Sequence, residues 1–295
     1  MNDKMRGTAE MTAAMTISGT IGWFVIQSGQ PVLDVVFWRC LFGAAALLIV
    51  CLAMGLLRGI ARPAILLVAA LGGIAIVLNW VLLFSAFSHA SISIATAIYS
   101  TQPFMLVALG ALFLGERLSA TKLAWLALAF AGMVLIVQVK PEAAYLGQDY
   151  LSGILLALGA AFLYAVAALL TKKLTGTPPH LIALVQVCVG VIMLAPFANL
   201  SDLPSGARTW ALLAIVGVVH TGLMFTLLYG AIQKLPTALT GSLSFIYPVV
   251  AILVDFFAFD VRLHVSQFVG AAIILIAAAG MNLGWSFTRR RPEPA

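Results

Sequence analysis

Two short stretches place hydrogen-bonding and aromatic side chains beside a proline inside otherwise apolar runs. Tyr99-Ser100-Thr101-Gln102-Pro103 interrupts the run 92–114, and Ser244-Phe245-Ile246-Tyr247-Pro248 interrupts the run 237–259. A proline within a helix removes one N–H and clashes with the carbonyl four residues back, here that of Tyr99 or Ser244. In hydrocarbon such a carbonyl needs another helix or a water-filled cavity. Each break therefore supplies an acceptor suited to an ammonium group. Of the 12 prolines, only Pro103 and Pro248 fall in mid-run. Helical spacing puts Thr96, Tyr99, Gln102 and Pro103 on one face, and Thr240, Ser244, Tyr247 and Pro248 on another. The plainer alternative is that hydroxyls and waters merely heal the two kinks.

Other apolar runs each bring an aromatic ring or a hydrogen-bonding group towards mid-membrane. These are Thr20 and Trp23 near Gly19, Asn79-Trp80 with Phe84, Tyr164, and His220-Thr221 with Tyr229. The expected cavity lining is thus Thr20, Trp23, Asn79, Trp80, Tyr99, Gln102, Pro103, Tyr164, His220, Tyr229, Ser244, Tyr247 and Pro248. Ionisable groups inside a membrane are functional candidates by default, and histidine titrates near neutrality. His220 and Asp255 are therefore the candidates for proton coupling. Arg39 is expected either to snorkel outward or to meet Asp34, and Glu10 to be solvated near a helix end.

The chemistry that is missing narrows the class. No zinc-protease H-E-x-x-H, nucleophile motif or P-loop occurs, so neither an enzyme nor an ATP-driven pump is expected. Cys40, Cys51 and Cys188 lack metal or redox spacing and read as small apolar packers. No metal and no cofactor are expected.

The elements that must position these residues are membrane helices. The chain is 63% apolar and 9% charged, against roughly 45–50% and 25% in soluble domains. Runs near 9–28, 32–55, 63–88, 91–114, 119–139, 151–171, 180–198, 207–233, 237–259 and 266–286 approach the roughly 20 residues a span requires. The first has Lys4 and Arg6 ahead of it, as a signal peptide would. Its length and the interrupting Asp3 and Glu10 read instead as an uncleaved span.

The net charge of +6 sets sidedness rather than nucleic-acid binding. One set of connections and ends holds Lys4, Arg6, Arg58, Arg62, Arg117, Lys122, Lys172, Lys173, Lys234 and Arg289–Arg291, whereas the other holds Lys140, Arg208 and Arg262. The bias predicts cytoplasmic N- and C-termini.

Sliding the chain on itself by 145 residues aligns Phe84-Ser85-Ala86-Phe87-Ser88-His89 with Tyr229-Gly230-Ala231-Ile232-Gln233-Lys234. The same shift sets Pro103 on Pro248 and Arg117-Leu118 on Arg262-Leu263. Five spans per copy is odd, so the second copy enters the membrane upside down. The expected organisation is a first repeat at 1–139, a periplasmic connection at 140–150, an inverted repeat at 151–287 and a basic tail at 288–295. In inverted repeats the substrate site sits near the midplane between the copies, commonly beside broken helices. The nearly aliphatic fifth and tenth spans are expected to be outer support.

Two five-span halves, a proline inside spans 4 and 9, and Gly115-Glu116-Arg117-Leu118 after span 4 resemble the drug/metabolite transporter superfamily in its EamA-type branch. Within it the chain looks most like the bacterial YddG-type exporters of aromatic and other amino acids. The second half has Asp260-Val261-Arg262 where the first has Gly115-Glu116-Arg117, so a role for Glu116 does not transfer. The resemblance implies a secondary transporter that exports neutral, large apolar amino acids by alternating access. A zwitterion does no net work against the membrane potential, which suits the lack of a central acidic cluster. A cation exporter calls for a midplane carboxylate, and a phosphate carrier for several central cations. The alternatives are an exporter of other small metabolites or drugs, or a non-transporting sensor or scaffold of the same fold.

Overall fold

Every element of the computed structural model, which describes residues 2–57, 62–89, 92–137, 147–201, 203–259 and 264–285, is helical. In chain order these are α1 (Asp3–Ser28), α2 (Val32–Ala53), α3 (Pro63–His89), α4 (Ile92–Tyr99), α5 (Gln102–Leu114), α6 (Ala120–Val137) and α7 (Gly147–Lys173). There follow α8 (Pro179–Leu194), α9 (Ala207–Gly217), a π-helical turn (Val218–Leu223), α10 (Met224–Lys234), α11 (Thr237–Ser244), α12 (Ile246–Phe259) and α13 (Val265–Leu283). Among the described residues, nine helical segments are long and apolar enough to cross a membrane, and the shorter Pro179–Leu194 makes the tenth apolar helix. Lys140, Asp260, Arg262, most of the 140–150 connection and the 288–295 tail lie outside the described residues.

The two mid-run prolines break their helices as expected. Tyr99 ends α4, and Pro103 occupies the first turn of α5, where its missing N–H costs nothing. The Ser100 and Thr101 hydroxyls donate to the carbonyls of Thr96 (2.8 Å) and Ile98 (2.7 Å). In the second copy Phe245 alone separates α11 from α12, and the Ser244 hydroxyl donates to the Gly241 carbonyl at 2.7 Å. Hydroxyls thus satisfy carbonyls upstream of each kink. A Cβ on Gly241 would stand 2.9 Å from Pro103 Cβ, so the two broken helices meet where one has a proline and the other no side chain.

The packing partners exchange with the halves. α1 lies along α9 and α10 as α7 lies along α3. Likewise α1 lies along α11 and α12 as α7 lies along α4 and α5. α2 packs on α8, and α6 on α13, each against its own counterpart. The architecture is all-α and integral to the membrane, two five-helix repeats of opposite orientation. The 145-residue shift also relates individual contacts. Gly270 abuts Leu135, and its counterpart Trp125 abuts Gly280, which is the counterpart of Leu135.

α6 and α13 form a peripheral pair held by backbone approach. A Cβ on Gly132 would be 2.7 Å from the Gly270 carbonyl oxygen, and one on Gly270 would collide with the Gly132 carbonyl. Membrane helices associate through such small residues because lipid offers no hydrophobic drive between them. Gly270→Val is expected to lose at least about 1–3 kcal/mol through overpacking, read as a lower melting temperature in detergent. An unchanged melting temperature would mean that the pair can separate freely.

Candidate functional site

The centre of the interface between the repeats is built on Asn79. From α3 its Nδ2 donates to the Ala160 carbonyl of α7 at 2.7 Å and to the Tyr99 hydroxyl of α4 at 3.3 Å. Asn79 is fully buried. Its Oδ1, and the Oε1 of Gln102 at the start of α5, are buried without a partner among the described residues. Buried acceptors left open cost about 1–3 kcal/mol each, unless water or a ligand satisfies them. The Tyr99 ring meets Tyr164 of α7 edge-on, centroids 6.3 Å apart, and lies within electrostatic reach of Tyr247. Tyr247 of the second broken helix packs against the same hydrophobic core as Tyr164.

One helical step along α3, Trp80 turns to the other side of this cluster. It packs edge-on against Phe225 at 5.6 Å, and Phe225 against Tyr229 at 5.3 Å. Trp80 and Phe225 are 145 residues apart, so counterparts touch where the pseudo-twofold axis must pass. The Tyr229 hydroxyl donates to Gln186 Oε1 of α8.

Arg39 is the largest departure from expectation. It neither snorkels nor meets Asp34, whose Oδ1 accepts instead from the Asn199 backbone N–H at 2.8 Å. Arg39 is 3% exposed and lies about 10 Å along α2 from its start, at 1.5 Å per residue. Its Nε donates to Thr221 Oγ1 at 3.1 Å, and its guanidinium carbon sits 4.0 Å from the centre of the Trp80 ring. The ring is worth roughly 2 kcal/mol when desolvated, and the hydroxyl about 1.5–3. Desolvating the ion costs several. Among the described residues no carboxylate comes within 4.0 Å of it.

Thr221 and His220 sit in the π-helical turn, which hydropathy does not foretell. The Thr221 hydroxyl donates to the Val216 carbonyl, five residues back, at 3.0 Å. A turn with one extra residue re-aims its side chains, and such bulges occur often at functional sites. α2 approaches the turn closely: a Cβ on Gly43 would be 2.9 Å from Thr221 Cγ2. His220 Nε2 shares a hydrogen bond with Thr20 Oγ1 at 2.9 Å, and Phe24 packs on its ring at 4.8 Å.

Not every candidate joins this cluster. Trp23 lies with Thr20, Phe24, Val250, Leu253 and Phe257 along an apolar groove of about 390 Å³ between α1 and α12. The Ser244 hydroxyl is spent on its own helix, and Pro103 and Pro248 are buried where the kinks pack. The Asp255 side chain lies outside the described residues. The sequence marks Arg39 only as an intramembrane ion, and it does not mark Gln186 or Phe225.

At the end of the bundle holding the N-terminus, polar contacts tie the halves together. Glu10, expected to be solvated, pairs with Lys234 (2.7 Å) and Arg6 (3.0 Å). Glu116, between α5 and α6, pairs with Lys172 of α7 at 3.1 Å. It also accepts from the Thr237 backbone N–H (3.0 Å) and hydroxyl (2.8 Å). Burial raises this carboxyl, but the Thr237 donors and the Lys172 ammonium outweigh it and hold Glu116 below its ordinary value.

Two inverted five-helix repeats closing on a buried polar and aromatic cluster define a membrane transporter. The model of the EamA-like transporter family matches residues 9–138 and again 151–283, and the chain belongs to that family. It is 31% identical to an uncharacterized transporter, YxxF, of Bacillus subtilis, over 96% of this chain and 91% of that one. It is 27% identical to a probable amino-acid metabolite efflux pump of Escherichia coli, over 62% of this chain and 64% of that one. A protein of known crystal structure, 22% identical, shares the fold with a TM-score of 0.80 over 94% of this chain and 96% of that chain.

Proposed function

We propose that the protein exports neutral amino acids, aromatic and other large apolar ones, by alternating access through the chamber around Asn79, Tyr99, Tyr164 and Tyr247, as in the YddG-type branch. The observation that carries this reading is the open acceptor Asn79 Oδ1, on a side chain bonded to Tyr99, together with the second open acceptor, Gln102 Oε1. Acceptors without a fixed negative charge suit an ammonium that arrives with its own carboxylate. Rings suit an apolar side chain, and small-molecule sites generally combine a few polar groups with such walls. The amino-acid metabolite efflux pumps among the relatives point the same way.

The positive-inside rule applied to the basic connections supports cytoplasmic N- and C-termini. Export then runs from the end held by Glu10 and Glu116 towards the end where α1 and α12 flank their groove. His220, the most central ionisable group besides Arg39, is the candidate for carrying a proton.

The test is counterflow in liposomes across a panel of amino acids, amines and sugars. Phenylalanine, tyrosine, leucine and methionine are expected to exchange. Flat uptake for all amino acids, with quaternary amines exchanging instead, would overturn the assignment.

A further inference from the structure

The buried cation of α2 has a use that the proposed substrate class supplies. We propose that Arg39 receives the carboxylate of the transported amino acid, its two Nη groups forming the fork and Trp80 fixing its plane. The inference rests on the amino-acid reading above and extends it to the opposite end of the substrate.

A guanidinium has five N–H donors. Arg39 uses Nε on Thr221, and no described protein acceptor takes the Nη donors. The arrangement is directional. Thr221 is itself held by its bond to the Val216 carbonyl, and the guanidinium carbon of Arg39 is held over the Trp80 ring. The edge left over is the Nη1–Nη2 edge, which pairs with a carboxylate through two parallel hydrogen bonds. A structural arginine in an apolar bundle would be expected to bring its own counter-ion, because an uncompensated buried charge is costly. The nearest carboxylate along α2, Asp34, is engaged with the Asn199 backbone instead.

The position also fits. Trp80, which lies against Arg39, follows Asn79 in the chain, so the two residues project about 100° apart around α3 and about 1.5 Å apart along it, with the cationic site on one side and the Asn79 acceptor on the other. The anionic end of a zwitterion is drawn to the first and its ammonium to the second. A single arginine matches one carboxylate. A phosphate dianion would call for more cations than this cluster holds.

The test is competition against labelled phenylalanine counterflow by full-length protein in liposomes, with the membrane potential clamped at zero. The competitors are phenylalanine, phenylalaninamide and phenethylamine, alike in ring and ammonium but differing in the carboxylate. Wild type should prefer phenylalanine by roughly 10- to 100-fold, the range for a charged hydrogen-bonded contact. Arg39→Gln should bring the three competitors to within a few-fold of one another. Arg39→Lys, which keeps the charge but not the fork, should fall between. A purely structural arginine would lower yield or rate without changing the ratio.

Equal competition by all three in the wild type overturns the inference even if Arg39→Gln fails to fold, and leaves the amino-acid function standing. An undiminished preference in Arg39→Gln does the same. Absence of any amino-acid counterflow by the wild type overturns the proposed function, and this inference with it.

Discussion

Tyr99→Ala and Tyr247→Ala will each cut counterflow of a labelled aromatic amino acid about tenfold or more, with folded yield close to wild type. Tyr99 leaves α4 where Pro103 stops the helix from continuing, and its hydroxyl accepts from Asn79. Its ring faces Tyr164 and lies in reach of Tyr247. Truncation therefore removes both a wall of the proposed chamber and the group that orients Asn79. Truncating a ring in a dry core typically costs 3–5 kcal/mol, because the cavity stays empty. Here the ring is only half-buried and stands among polar groups, so water can refill the space and the melting temperature should fall only a few degrees. Tyr99→Phe isolates the hydroxyl and should lose severalfold rather than tenfold. If both alanine variants run at the wild-type rate, the chamber lies elsewhere.

Glu116→Ala will have the largest effect on stability of any single change at the end of the bundle holding the N-terminus. α11 begins after Pro236, whose side chain cannot cap it. Glu116 reaches from the first repeat to take the Thr237 N–H in its place, while also pairing with Lys172. A lost cap costs about 1 kcal/mol, and each charged hydrogen bond about 1.5–3. With 22% of the Glu116 side chain exposed, solvent screens part of this. About 2–3 kcal/mol is expected for alanine, and somewhat less for Glu116→Gln.

The pH dependence gives the prediction its sign. Because the folded carboxyl lies below its ordinary 4.5, its contribution is complete above that pH. It drains as pH falls through the folded-state value. The melting-temperature gap between wild type and Glu116→Gln should therefore be constant from pH 8 down to about 5 and close below 4.5. A gap that persists unchanged into acid would mean that the carboxylate charge contributes nothing.

The same contact bears on the proposed alternating-access cycle. Glu116 lies in the first half of the chain, and Lys172 and Thr237 in the second, so on that proposal opening this end would break their bonds. The counterpart of Glu116 under the 145-residue shift is Val261. The two ends of the carrier are thus not equivalent, although the fold relates them.

Much of this was legible in the sequence because lipid leaves few options. Ten apolar runs had to be helices, since a spanning backbone must satisfy its own hydrogen bonds. Two mid-run prolines had to break them, and a second copy of five spans had to be inverted. Those constraints are local, and the helices stop and kink where residues such as Pro103 and Pro248 require. Long-range contact decided the rest. Arg39 looked like a snorkelling or paired ion from α2 alone. Its fate was set by Gly43 and Gly217, which let α2 come close enough to α9 and the π-helical turn for the guanidinium to reach Thr221. The π-helical turn that presents Thr221 and His220 leaves no mark on hydropathy, because one extra residue in a turn does not change how apolar the helix is. Glu116 acts as the cap of a helix 121 residues away, a pairing that exists only once the two copies have closed on each other. The sequence by itself determined the elements and their symmetry; which polar groups face one another across the interface was decided by how closely the helices pack.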